Sequence, residues 1–123
     1  AYCFAEKQGY SKFGSYTGNG NSNGPFIFTG FKPAFLVVKK TNGAGGWQLR
    51  DNKRTPTGNL TTNLMYANAS SAEQTTDGVD FLSNGWKLRN TAGDNNNSGD
   101  TYIYIAFAEE PFVASNFNVA TAR

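Results

Sequence analysis

The chain has 123 residues, 11 Lys and Arg against 9 Asp and Glu, no histidine and a single cysteine. That length fits one domain with room for a core. A net charge of +2 without a basic block argues against a nucleic-acid partner. The lack of histidine excludes Ser-His-Asp and Cys-His nucleophile arrangements and His-based zinc sites, so an enzyme is not expected.

No run of 18 apolar residues occurs, so a membrane-spanning helix is not expected either. Ten Phe, six Tyr and two Trp favour strands, and 14 Gly with 15 Asn favour tight turns.

In chain order, residues 12–17 are the first strand candidate, and residues 25–29 the second, ending at Gly30. Residues 34–40, Ala-Phe-Leu-Val-Val-Lys-Lys, carry the strongest strand signal. With residues 47–51 they predict a hairpin turning at 42–46. Residues 60–71, around Leu64 and Met65, are the best helical candidate, diluted by Asn and Thr.

Residues 79–82 and 86–89 predict a second hairpin around Asn84-Gly85. Four Asn-Gly pairs, at 19–20, 23–24, 42–43 and 84–85, predict the positive φ of two-residue turns. Residues 102–108 are almost all apolar or aromatic, as in a central strand covered on both faces. They are read with residues 25–29 as a third, less local strand pair.

The pattern predicts an all-β domain, an antiparallel β-sandwich of roughly seven to nine short strands. The expected core is Phe28, Phe35, Val37, Leu49, Phe81, Trp86, Leu88, Ile103, Ile105 and Phe107.

Several residues are candidates for chemistry. Asp94, Asn96 and Asp100 lie in an Asn-rich loop with oxygen ligands at alternate positions, which suits calcium, although the EF-hand spacing is not met. Trp47, beside a glycine-rich turn, could stack on a sugar ring with Tyr66, and Asp51 could hydrogen-bond it. Trp86 alternates with charges and belongs to the core. Arg50, Asp51, Lys53 and Arg54 are read as a solvated strand end, with contact to a neighbouring subunit as the alternative. Cys3 is expected to be a small buried hydrophobe.

The N-terminus echoes a later segment. Phe4-Ala5-Glu6 repeats Phe107-Ala108-Glu109, each after a short apolar run. Residues 1–7 are therefore expected to belong to, or pair with, a neighbouring module. Tyr2, Cys3 and Phe4 become candidate assembly residues.

Four segments together carry a resemblance: residues 4–20 (from Phe4-Ala5-Glu6-Lys7-Gln8-Gly9 to Gly18-Asn19-Gly20), Gly30-Phe31-Lys32-Pro33-Ala34-Phe35, Asp80-Phe81-Leu82-Ser83-Asn84-Gly85 and residues 98–109. Over roughly residues 2–112 the chain resembles an uncharacterised β-domain repeated in bacteriophage tail-fibre and virion-associated proteins. Such domains look like distant relatives of concanavalin A-like, SPRY or laminin-G sandwiches, which implies a jelly-roll or concanavalin A-like layout.

The resemblance implies a virion structural module, in a tail fibre, spike or capsid decoration, located in the virion or outside the cell. Other virion or filament subunits are then the expected partners, as a homo-oligomer, with a host surface glycan as a further one. The alternatives are a lectin-like carbohydrate-binding module and a subunit of an extracellular filament assembled by strand exchange. Neither nucleic acid nor membrane is expected as a partner.

Overall fold

The computed structural model describes residues 1, 3–55 and 59–110, and Tyr2 falls outside them. Eight strands follow in chain order: β1 (Ser11–Thr17), β2 (Phe26–Phe28), β3 (Pro33–Lys40), β4 (Gln48–Asp51), β5 (Thr61–Tyr66), β6 (Gln74–Leu82), β7 (Gly85–Leu88) and β8 (Thr101–Ala108). No helix occurs among the described residues. The strands form one sheet in the order β1-β8-β3-β4-β5-β6-β7-β2, and every neighbouring pair is antiparallel.

The sheet curls back on itself into two facing layers. Trp86 on β7 is fully buried, edge-on to Tyr16 of β1 at 5.2 Å and to Tyr104 of β8 at 5.5 Å. Those rings therefore join the β1-β8-β3-β4 layer to the β6-β7-β2 layer. Each such pair contributes about 0.5–1.5 kcal/mol beyond its buried area. The bend falls at β5, where the ladder to β6 slips between Thr61 and Asn63. Curling brings β1 and β2, the ends of the strand order, toward one another without pairing them among the described residues.

Both predicted hairpins form, as β3–β4 and β6–β7. The non-local pairing differs. β2 pairs with β7, while residues 102–108 sit between β1 and β3. Residues 60–71 are not helical: Leu64 is fully buried and Met65 is exposed, a period of two that pairs with strands on both sides.

Of the four Asn-Gly pairs only Gly20 takes a positive φ, of 64°. At Asn84-Gly85 the turn is made by Ser83 and Asn84, and Gly85 opens β7. A Cβ on Gly85 would run into the Ile27 carbonyl and the Phe26 ring, so glycine is required there for the close approach of β2.

The core differs from expectation by one residue in three strands. In β3 the buried residues are Pro33, Leu36 and Val38, not Phe35 and Val37. In β8 they are Tyr102, Tyr104 and Ala106, while Ile103 is 43 % exposed and Ile105 and Phe107 are half-buried. In β4 they are Gln48 and Arg50, not Leu49. Phe28 on β2 is also exposed. Phe81, Trp86 and Leu88 are buried as expected. A one-residue change of register moves a whole strand's side chains to the opposite face. Here both faces carry apolar residues, so alternation alone does not choose between them.

Candidate functional site

Three regions hold the residues singled out from the sequence. The first is the interior around Arg50, which is 1 % exposed, so the solvated strand end expected for it is not found. Its Nη1 donates to the Thr61 carbonyl at 3.1 Å and more loosely to those of Thr62 and Thr76, and its Nη2 donates to Gln48 Oε1 at 3.2 Å. Among the described residues no carboxylate forms an ion pair with it.

Burial pulls the Arg50 guanidinium down to about 10, which still leaves it protonated at neutral pH. Asn95 Nδ2 donates to the same Gln48 oxygen, and Tyr16 OH donates to the Asn95 carbonyl. Burial also raises Tyr16, which stays a neutral donor. This is a polar tie from β4 to β5, β6 and the loop after β7.

The second region is the loop end holding the calcium and sugar candidates. Asn96 is fully buried, and its amide donates to the carbonyls of Asn21 and Asn90 while its oxygen accepts the Asn19 N–H. It acts as a loop clamp. Asp100 is held by Lys40 Nζ at 2.6 Å, by Asn97 Nδ2 at 2.6 Å and by Asn42 Nδ2 at 3.1 Å. Those bonds, the one from Lys40 first, set Asp100 below the usual carboxylate range and raise Lys40 in turn.

Asp94 instead accepts from Tyr66 OH at 3.1 Å. The calcium trio thus has three separate sets of protein partners. No group of three or more Cys, Asp or Glu converges among the described residues.

The sugar candidates are also apart. Tyr66 stands opposite Gln48 and faces inward with it. Trp47 precedes Gln48 by one residue, so alternation turns it to the outside, where it is 39 % exposed. Asp51 lies four residues further along, about 13 Å away at strand spacing. It is engaged by the N–H groups of Lys53 and Arg54 and by Arg54 Nε at 2.5 Å. Arg54 also reaches Glu73 at 2.8 Å, which ties the end of β4 to the start of β6.

The third region is the N-terminal arm. Tyr10 and Ser11 donate their N–H groups to the Lys7 carbonyl, and Gly9 takes φ 71°, so the chain turns back along the free edge of β1. Glu6 Oε1 accepts the Phe13 N–H at 3.1 Å, capping one outward donor of that edge, and its Oε2 pairs with Lys12 at 3.2 Å. The Phe13 N–H and then Lys12 hold Glu6 below its ordinary value.

Phe4 stacks on Phe13 at 6.0 Å yet stays 64 % exposed. Cys3 is free and exposed rather than buried, because the arm lies on the surface and enters no core. A cleft of about 260 Å³ separates arm from body, lined by Cys3, Phe4, Lys7, Tyr10, Phe13 and Phe107 among others. The echo has a structural counterpart: Phe107-Ala108 flanks Ser11 on one side of β1, and Ala5 to Lys7 flanks it on the other. Of the assembly candidates, Cys3 and Phe4 lie together on this arm.

No curated protein and no solved structure matches the chain. A family model does match, across residues 1–111, and the chain therefore belongs to the family described as Domain of unknown function (DUF7483).

Proposed function

We propose that this chain is a structural module of a virion appendage, a tail fibre, spike or capsid decoration, that acts by assembly and by attachment to a host surface. The observation that carries the reading is the N-terminal arm on the β1 edge. It repeats the Phe-Ala-Glu that closes β8 and follows it, Phe107 to Glu109, and makes one backbone bridge to its own β1, at Lys7–Ser11. An edge strand so lightly capped can take an extended segment from a neighbour through main-chain hydrogen bonds.

Donation of the arm from each copy to the next gives a head-to-tail contact, which builds an open series where the rotation between copies does not close. The modules then act through shape rather than chemistry. The chain without residues 1–7 tests this by sedimentation and electron microscopy. Loss of the concentration-dependent series supports it; an unchanged series refutes it.

The exposure of Trp47 favours a second reading, in which the module reads a host glycan through a single aromatic platform. A glycan array with the chain and its Trp47→Ala variant decides. Binding that the variant loses supports it, and no binding to any glycan ends it.

A further inference from the structure

Three of the four Asn-Gly pairs have the glycine N–H tied down. Gly20 N–H donates to the Asn96 carbonyl at 2.9 Å, and Gly24 N–H to the Leu88 carbonyl at 3.1 Å. Gly85 stands opposite Leu82 in the β6–β7 ladder, where its N–H closes the two-residue turn. Gly43 differs. It is exposed in the β3–β4 turn, and its N–H meets no carbonyl among the described residues.

The side chain just before it is polarised. Asn42 Oδ1 accepts the Thr101 N–H at 3.2 Å, which draws charge from Cγ, and its Nδ2 donates to Asp100 Oδ1 at 3.1 Å. Asp100 Oδ2 in turn holds Lys40 Nζ at 2.6 Å. One exposed turn thus joins an electrophilic carbon, an untied amide nitrogen on the next residue and a proton source beside the side-chain nitrogen.

We infer that Asn42 is a site of self-modification, converted to aspartate or isoaspartate with loss of ammonia. The Gly43 nitrogen gives its proton to hydroxide and attacks Asn42 Cγ, closing a five-membered ring. The Thr101 N–H faces the oxyanion that develops on Oδ1. The Cγ–Nδ2 bond then breaks, and Nδ2 leaves as ammonia with a proton passed from Lys40 through Asp100. Water opens the succinimide at either carbonyl, and solvent reprotonates Lys40. The balance is one water consumed and one ammonia released. Glycine suits the attacking position because no side chain shields its nitrogen.

The product loosens the turn. The Nδ2 donor becomes an oxygen facing Asp100, and one lysine must serve two carboxylates. The Thr41 N–H on the Thr101 carbonyl and the Thr101 N–H on Asn42 tie this end of β3 to β8, so this end frays. The modification is independent of the virion reading, since it needs only the chain and water.

Ageing the full chain in heavy-oxygen water at mildly alkaline pH, followed by tryptic peptide mapping, tests the site. Residues 41–50 form one tryptic peptide in which Asn42 is the only asparagine. Label should enter there about tenfold faster than at Asn19, Asn23 or Asn84, where a hydrogen bond worth about that factor must first open. Gly43→Ala should stop it, since the added methyl shields the nitrogen and meets only the flexible Lys40 stem. No label at Asn42, equal rates at the four pairs, or an undiminished rate in Gly43→Ala overturns the inference.

Asp100→Asn tests the proton route: a slower reaction supports it, and an equal or faster one overturns it. Asn42→Asp stands in for the product. Its Thr41 and Thr101 amides should exchange about two- to fivefold faster than the parent's, as for a like-charge surface pair. Unchanged exchange overturns the loosening.

Discussion

Leu36 and Val37 are neighbours on the same strand, and the fold assigns them opposite roles. Leu36 is fully buried between the layers, and Val37 lies half-buried outside. Leu36→Ala removes buried carbon and leaves a hole walled by other strands, which costs about 2–5 kcal/mol. Val37→Ala removes two methyls worth about 0.8 kcal/mol each when fully buried. Partial burial reduces that to about 0.5–1 kcal/mol.

For a domain of this length 1 kcal/mol corresponds to about 3–5 °C in Tm. The inner variant should then lose about 6–25 °C, and the outer one a few degrees. Urea and thermal unfolding followed by circular dichroism measures both. An outer variant that loses as much as the inner one would refute the register of β3.

Other outcomes follow from single contacts. Arg50→Lys should lose about 2–3 kcal/mol in urea, because a compact ammonium lacks the planar fork whose two nitrogens reach the Thr61 carbonyl and Gln48; stability equal to the parent would show that the guanidinium bonds are dispensable. Gly85→Ala should detach β2, read as exchange of the Ile27 and Leu88 amides and a lower Tm, whereas an unchanged Tm would contradict the close approach. Asp100 is lowered by Lys40 and Asn97, so its contribution is present above the unfolded carboxylate value and lost as pH falls through the lower folded one. Asp100→Asn should accordingly flatten the acid limb of the Tm-against-pH curve below the unfolded carboxylate value of about 4, and a limb as steep as the parent's would mean that other carboxylates carry it.

The sequence made the local structure legible where one face of a strand was unambiguous. Trp86 and Leu88 alternate with Lys87 and Arg89, and that hairpin forms with the expected side inward. It misled where both faces were apolar. Phe35, Val37, Ile103 and Ile105 look more hydrophobic than Tyr102, Tyr104 and Gln48, yet the latter are buried. Choosing between them requires knowing what stands opposite: Trp86 and Tyr16 make a ring-lined interior that accepts tyrosines, and Arg50 makes a polar one that accepts Gln48 and Asn95.

Calcium at Asp94, Asn96 and Asp100 was suggested by spacing within one loop, but the side chains bond to residues distant in sequence, Tyr66, Asn19 and Lys40. A clue to the buried role of Arg50 did exist, since it shares an alternation phase with Gln48 and opposes Leu49. Cys3 departs from its residue type's habit because its segment packs along an edge, which composition cannot reveal.

The place of β8 bears on how the molecule is made. Both its partners come from the first third of the sequence, and among the described residues β1 joins the rest of the sheet only through it. During synthesis β1 and β3 leave the ribosome long before the strand that links them, so the layer cannot zip up from its beginning. Closure waits for β8 and proceeds at the slower rate of long-range pairing. A nascent chain stalled before Thr101 would display two raw strand edges to whatever is nearby.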